Sequence, residues 1–357
     1  MAIAYPKEFD TLTLDPPQFR SVLVEWDVDG PRLACARTDR SIKVSRVDHV
    51  KQKLEDSIVI GAAHEHPVVC LAWDPRKNGR LVSLSQDATL KVWEIKARTH
   101  KLVRSIKLAC AAPTRARFSP NGRFLAVTDS LSWLMVLDSA SLQLDTAISI
   151  RISTQICDLD WDSASQTLVL ALASGHVQLF RLQRSNGLYK IELVQSLALS
   201  SSQVTSIKYV ATKNEILATT QDGNILTIDA QQLVCTASTH NLDDSPTDVD
   251  LRLPAAAISY HDNNVRIFDM DAGQELCEVK NSRGALAHAK FHPDTRQVLA
   301  FIDGSGRATV LVPKKKTGPA RVQQRPAPPR PRVAPMAARP QRGPDRFERP
   351  PSKRTKY

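Results

Sequence analysis

Seven copies of one pattern, with anchor residues 40 to 48 positions apart, predict an all-β fold: a seven-bladed propeller followed by a disordered basic tail. Three observations carry this. Each copy opens on a short strand ending in a bulky residue: Trp26, Trp73, Phe118, Trp161, Tyr209, Leu251 and Phe291 in turn. Six copies carry an aspartate in the second turn (Asp39, Asp87, Asp129, Asp222, Asp262 and Asp303), with Ser174 in the remaining one. The middle strands, such as "LVLALA" (168–173), "FLAV" and "VLAFI", are almost continuously apolar, as strands are when both faces of their sheet are covered.

The repeat cores occupy residues 22–47, 68–95, 114–138, 156–182, 204–229, 247–269 and 286–312. In the first three, Asp29-Gly30, Asn78-Gly79 and Asn121-Gly122 fall between the first and second strands, where tight turns favour residues tolerant of positive φ. A blade also needs a fourth, outermost strand, and candidates follow four cores: "SIVIGA" (57–62), "VRSIKLA" (103–109), "ELVQSLAL" (192–199) and "LVCTAST" (233–239). The seventh core has no such segment after it. Residues 9–15 stand before the first core and are free to take that place, so the ring is expected to close by pairing the two ends of a propeller spanning 9–313. The stretches 48–57, 96–101 and 240–248, polar and mixed in charge, read as surface loops.

Composition restricts the function classes. With 42% apolar and 24% charged residues the chain reads as an ordinary globular protein, and its longest apolar runs fall far short of a membrane span. The first residues, "MAIAYPKEFD", show no basic and apolar regions of a secretory signal. Six cysteines at wide intervals, without metal-ligand spacing, are expected to be reduced and buried in an intracellular protein. Charge is uneven: residues 314–357 hold five Lys and nine Arg against Asp345 and Glu348, a net of +12, which leaves −1 for the rest. Ten of the 22 prolines also lie there, with two aromatics. Such a segment cannot bury enough surface to offset the entropy of ordering.

These residues resemble the WD-repeat family. The second copy matches best, with His64 four residues before Val68, Ser83 four before Asp87 and Trp93 six after it. In the family these types form a His, Ser/Thr, Asp, Trp hydrogen-bonded tetrad, so the resemblance implies a structural tetrad of His64, Ser83, Asp87 and Trp93. An acidic residue after the third strand recurs as Glu94, Asp138, Asp229 and Asp269. The weak repeats, the basic tail with "PDRFERPPSKR" and strings such as "ASGHVQLFRL" and "DNNVRIFDMDAGQEL" are similar to fungal WD-repeat subunits of the THO (TREX) complex. That resemblance implies a nuclear, non-catalytic scaffold docked on large helical THO subunits, coupling transcription to mRNA packaging and export.

The chemical alternatives are each outweighed by a structural reading. His64-Glu65-His66 offers two metal ligands but no third, and His64 has a tetrad place to fill. Asp158 and Asp160 form a carboxylate pair suited to acid/base work, yet paired side chains also line propeller channels. "DGSGR" (303–307) has the look of a phosphate nest without P-loop spacing or its lysine. No catalytic, cofactor or metal site is therefore expected, nor a small-molecule substrate or membrane. Function is expected at surfaces. In the tail Arg321, Arg325, Arg330, Arg332, Arg339, Arg342, Arg346 and Arg349 are spaced by prolines, which keeps them accessible for sequence-independent RNA phosphate contacts. Lys314, Lys315, Lys316, Lys353 and Arg354 suit nuclear import. The competing classes are a substrate receptor of a cullin-type ubiquitin ligase, loosely suggested by "WEIK" (93–96), and a chromatin or ribosome-assembly scaffold.

Overall fold

The computed structural model describes residues 5–314 apart from 7, 17, 29, 144–147, 187, 241–243, 263 and 280–286. The tail residues expected to meet RNA or importins, namely the eight arginines with Lys315, Lys316, Lys353 and Arg354, lie outside the described residues.

All regular structure among the described residues is strand. β1 (Phe9–Thr13) precedes blade 1, which holds β2 (Ser21–Trp26), β3 (Arg32–Arg37), β4 (Ile42–Asp48) and β5 (Lys53–Ile60). Blade 2 holds β6 (Val68–Trp73), β7 (Arg80–Ser85), β8 (Thr89–Ile95) and β9 (His100–Lys107); blade 3 holds β10 (Pro113–Phe118), β11 (Phe124–Asp129), β12 (Trp133–Asp138) and β13 (Ile148–Arg151). Blade 4 consists of β14 (Ile156–Trp161), β15 (Thr167–Leu172), β16 (His176–Ser185) and β17 (Leu188–Ala198), and blade 5 of β18 (Val204–Val210), β19 (Glu215–Thr220), β20 (Asn224–Asp229) and β21 (Val234–His240). Blade 6 comprises β22 (Pro246–Arg252), β23 (Ala255–Tyr260), β24 (Val265–Asp269) and β25 (Gln274–Val279); blade 7 begins with β26 (Ala287–His292), β27 (Thr295–Ile302) and β28 (Ala308–Pro313).

Each blade is a four-stranded antiparallel sheet in chain order except the last, whose order is β1-β28-β27-β26. The first strands touch one another right round the ring, β2 to β6, β6 to β10 and onward until β26 meets β2. The fold is thus a closed seven-bladed propeller. Its upper face carries the connections between blades and the turns from second to third strand. Its lower face carries the other turns.

Apolar alternation explains the packing. Buried apolar residues among those described fall into seven clusters, one in each seam between neighbouring blades. β15 shows how a continuously apolar strand serves two seams: Leu168, Leu170 and Leu172 face blade 3, while Val169 and Ala171 face blade 5. The pleat sends alternate residues to opposite faces, and both faces are interior.

The ring is closed by β1, which pairs with β28 from Phe9↔Pro313 to Thr13↔Thr309. Beyond the strand, the buried Asp15 carboxylate binds Arg37 and Lys43 of blade 1 and accepts from Ser21 Oγ at 3.1 Å, so the closing segment also grips the first blade.

Several sequence boundaries are corrected by the structure. Of the polar stretches read as loops, 48–57 is half strand, because β5 begins at Lys53, and 96–101 and 240–248 each yield their ends to strands. The outer strands β13 and β25 are additions that the sequence pattern does not mark. β13 has only four residues, and β25 carries Glu275 and Glu278, which an outermost strand tolerates because one side of it meets water. Of the expected turn glycines, Gly79 and Gly122 have φ of 77° and 65°, whereas Gly30 is not in that region.

Candidate functional site

The best-formed polar cluster within one blade is the relay of blade 2. Trp93 Nε1 donates to Ser83 Oγ at 2.8 Å, and Ser83 Oγ lies 2.7 Å from His64 Nε2. His64 Nδ1 is 2.8 Å from Thr89 Oγ1, which donates to Asp87 Oδ1 at 2.6 Å. The directions are forced. The Asp87 carboxylate can only accept, so Thr89 spends its proton there and must accept from His64 Nδ1–H; Nε2 is then the acceptor for the Ser83 hydroxyl, which receives the indole proton. His64 is a neutral imidazole, and burial with Lys91 nearby lowers its pKa to about 4.

The structure therefore brings His64, Ser83 and Trp93 into direct contact but reaches Asp87 only through Thr89, a residue that the repeat spacing does not single out. Asp87 also caps the Thr89 N–H at 2.7 Å. Both ring nitrogens of His64 are engaged, and His66 instead sits 3.5 Å from Asp87, so the two histidines do not converge on a common point. Among the described residues no group of three or more His, Cys, Asp and Glu gathers as a metal site. All six cysteines are free, but only Cys35 is fully buried. In "WEIK", Trp93 is committed to the relay and the exposed Glu94 and Lys96 face each other at 3.8 Å.

Of the remaining turn acids, Asp222 accepts from Ser200 Oγ at 3.0 Å and the others act on backbone. Asp39, Asp129 and Asp262 accept from N–H groups two to four residues on, at 2.8–3.0 Å. Asp303 Oδ1 accepts from Ser305 N, Ser305 Oγ and Arg307 N, so the place a phosphate would take in "DGSGR" is filled by the protein's own carboxylate. Asp138, Asp229 and Asp269 cap the turn after the third strand in the same way. Glu94 does not, having Lys96 as its partner.

The second cluster lines the central channel, where a cavity of about 270 Å³ lies among the first strands. Side chains two residues apart on a first strand point the same way, and here they are ionisable: Arg115 and Arg117 on blade 3, Asp158 and Asp160 on blade 4, Asp248 and Asp250 on blade 6, and on blade 7 Lys290 beside His288, which burial keeps neutral by lowering its pKa to about 4. Lys208 on blade 5 continues the alternation of sign from blade to blade, and Glu25 on blade 1 takes the next acidic place, with burial pushing its pKa up. An odd ring cannot alternate throughout. The break falls at blade 2, which presents the uncharged Cys70.

Asp158 is the hub of this ring. It lies within 3.5–3.8 Å of Arg117, Lys208 and Arg115, and accepts from Ser206 Oγ at 2.8 Å and Ile207 N at 3.1 Å. Burial opposes its ionisation, but Lys208, Arg117 and Arg115 together outweigh burial and hold its pKa well below the usual carboxylate range. Asp248 is similarly held at about 2 despite burial, by Lys290, Lys208 and His288. Asp158 thus has no proton to donate near neutrality and little basicity, and the geometry gives the Asp158/Asp160 pair a structural use instead. Asp160 accepts from Tyr209 N and Asp250 from Phe291 N, both at 2.8 Å, so acids of one blade satisfy N–H groups on the inner strand of the next. Tryptophans reinforce the same joints: the indoles of Trp26, Trp73 and Trp161 donate to the carbonyls of Lys290, Glu25 and Arg117 in the preceding blade at 3.0–3.2 Å. The signal for this ring is present in the sequence, as charges at i and i+2 on otherwise apolar first strands.

Comparisons with known proteins agree on architecture. The WD40 pattern (WD domain, G-beta repeat) matches residues 57–94, which is the copy carrying the relay. "WD repeat-containing protein AAC3" of Dictyostelium discoideum is 18% identical over 252 residues, 66% of this chain and 52% of that protein. "THO complex subunit 3" of Arabidopsis thaliana is 26% identical over 116 residues, 32% of this chain and 35% of that protein. The chain thus spans about half or less of the length of these relatives. Among solved structures, the β-propeller domain of Myceliophteria thermophila Cps50 (Swd1) superposes with a TM-score of 0.69 at 16% identity, covering 85% of this chain and 99% of that one. The last likeness shows the fold.

Proposed function

Starting from a WD-repeat propeller scaffold, which the matched repeat and the seven blades support, we propose that this chain is a subunit of a THO-type complex that couples transcription to mRNA packaging and export. The observation that carries the reading is the match to THO complex subunit 3. The relay is spent on ordering blade 2 and the channel ring on holding blades together, which leaves the faces, the rim and the tail as the working surfaces. On this reading folded partners, the helical scaffold subunits, dock on the disc. The tail arginines contact RNA phosphates without reading sequence, and the lysine clusters direct the protein to the nucleus.

Affinity purification of the full chain under nuclear-extract conditions tests the assignment. Recovery of helical THO subunits at matching stoichiometry is expected. Recovery of a cullin adaptor, or of pre-ribosomal or chromatin factors in their place, would replace it with the corresponding reading.

A further inference from the structure

The disc is close to neutral as a whole, yet its charge is segregated by blade. Residues 63–110, which form blade 2, hold nine Lys and Arg against four Asp and Glu, whereas residues 242–280, around blade 6, hold three against nine. The excess on blade 2 is concentrated on its outermost strand, β9, where Lys101, Arg104 and Lys107 are all exposed. Cations on an edge strand commonly serve to block edge-to-edge association. That purpose does not account for the exposed aromatic on the facing side of blade 3.

Trp133, at the start of β12 in blade 3, is 38% exposed, while Trp26, Trp73, Trp93 and Trp161 are 2–5% exposed. The pleat fixes its direction. Met135 and Leu137, in the same row of β12, pack in the seam between blades 2 and 3, so Trp133 lies on the side of its blade turned toward blade 2. Arg151 is directly opposite Trp133 in the β12–β13 register and shares that side. On blade 2, Ile106 packs on the same seam and Arg104, opposite the seam residue Val92, belongs to its row. Arg104 and Arg151 are both exposed, and no ion pair joins either of them, or Lys101, to an acid among the described residues. Glu94, an acid on this side of the seam, is matched by Lys96.

We propose that the rim of the seam between blades 2 and 3 binds single-stranded RNA, with Trp133 stacking on a base and Arg151 and Arg104 meeting the backbone. An exposed aromatic set among unpaired cations is the arrangement that sequence-tolerant binding of single strands requires, because every base has a stacking face and every nucleotide a phosphate. An acidic protein segment would use the cations but has no need of the indole. The inference deepens the reading of the chain as a ribonucleoprotein scaffold and rests on it. It gives the folded disc an RNA-binding surface of its own.

The test uses the full chain and oligouridylate. Trp133 is the solvent-facing indole, and the tail contains no tryptophan. Binding through the seam should therefore quench Trp133 emission, and the quench should vanish in Trp133→Phe. Trp133→Ala should weaken binding at the seam about tenfold. Arg104→Ala with Arg151→Ala should reduce the log-log salt slope by about 1.4, roughly 0.7 for each phosphate no longer neutralised. Urea midpoints of the variants check folding, and the quench in the unaltered protein decides the matter even if a variant proves unstable. Oligouridylate binding with no quench and an unchanged slope in the double variant would assign all RNA binding to the tail and overturn the proposal. Equal quenching by poly-glutamate would overturn it in favour of an acidic protein. Neither result bears on which complex the chain purifies with, so failure here is separable from failure of the THO assignment.

Discussion

Thr89 shows how a single hydroxyl can set the state of a distant ring. It separates His64 from Asp87 and passes the demand of the carboxylate to the imidazole, fixing the tautomer. Thr89→Val should leave His64 Nδ1–H buried without an acceptor and destabilise the protein by about 1–3 kcal/mol, while Thr89→Ser should stay near the parent; urea denaturation measures both. The same logic makes stability depend on pH. His64 and His292 have pKa values lowered from 6.5 to about 4, in each case by burial first and then by a neighbouring group, Lys91 or His49. A proton binds the unfolded chain more readily than the folded one, so their contribution is complete above about pH 6.5 and is lost as pH falls toward 4. Each histidine accounts for on the order of 3 kcal/mol at the acid end. A urea midpoint that stayed flat from pH 7 to pH 4 would contradict this. Asp15 is a third case: Asp15→Ala leaves Arg37, whose side chain is 4% exposed, without its carboxylate, and should cost about 3–5 kcal/mol, whereas removing both charges together with apolar residues of similar volume should cost far less. Of these features the sequence offers His64, Ser83, Asp87 and Trp93 through a spacing. Thr89 stays hidden because a threonine opening a β-strand is ordinary, and nothing in its neighbours marks it as a relay.

Strands are more legible than the segments between them. A first strand announces itself by the bulky residue at its end, and that residue has a physical reason to recur: its indole, where present, reaches the carbonyl of the blade before it. Trp161→Phe removes the bond to Arg117 O and some buried volume, for an expected loss of about 1–3 kcal/mol, seen as a lower urea midpoint with no change of fold. Middle strands are legible because both faces are interior. Outer strands are legible in part: β5, β9, β17 and β21 overlap the four apolar candidates but start or end elsewhere, while β13 and β25 go unmarked, since one side of the ladder and much of the side-chain surface meet water and tolerate Lys, Glu and His. The inner strands present the opposite difficulty. Their charges at i and i+2 resemble catalytic pairs, and only the ring shows each carboxylate aimed at cations and N–H groups of neighbouring blades.

At the scale of the whole molecule, the net charge of −1 outside the tail conceals a positive edge at blade 2 and a negative one at blade 6, close to opposite sides of a seven-membered ring. On the reading proposed, removing residues 314–357 should take away the tail's share of RNA affinity and its steep salt dependence, about −4 to −6 in slope for six to eight neutralised phosphates, while protein partners stay bound. A truncated disc retaining the full slope would refute that division. The closing pair has a further consequence, for the order in which the chain is made. β1 is made before every other strand described and its partner β28 after all of them, so Phe9 waits for Pro313. While blades 1 to 6 are made the nascent chain carries an unmatched strand, and Asp15 can tie it to blade 1 long before blade 7 exists. A message cut short anywhere before residue 308 would yield a ring with two orphan edges and an exposed seam, a form open to proteases and prone to aggregate. The clasp therefore acts as a completeness check on translation: only a polypeptide read through its final blade can shut.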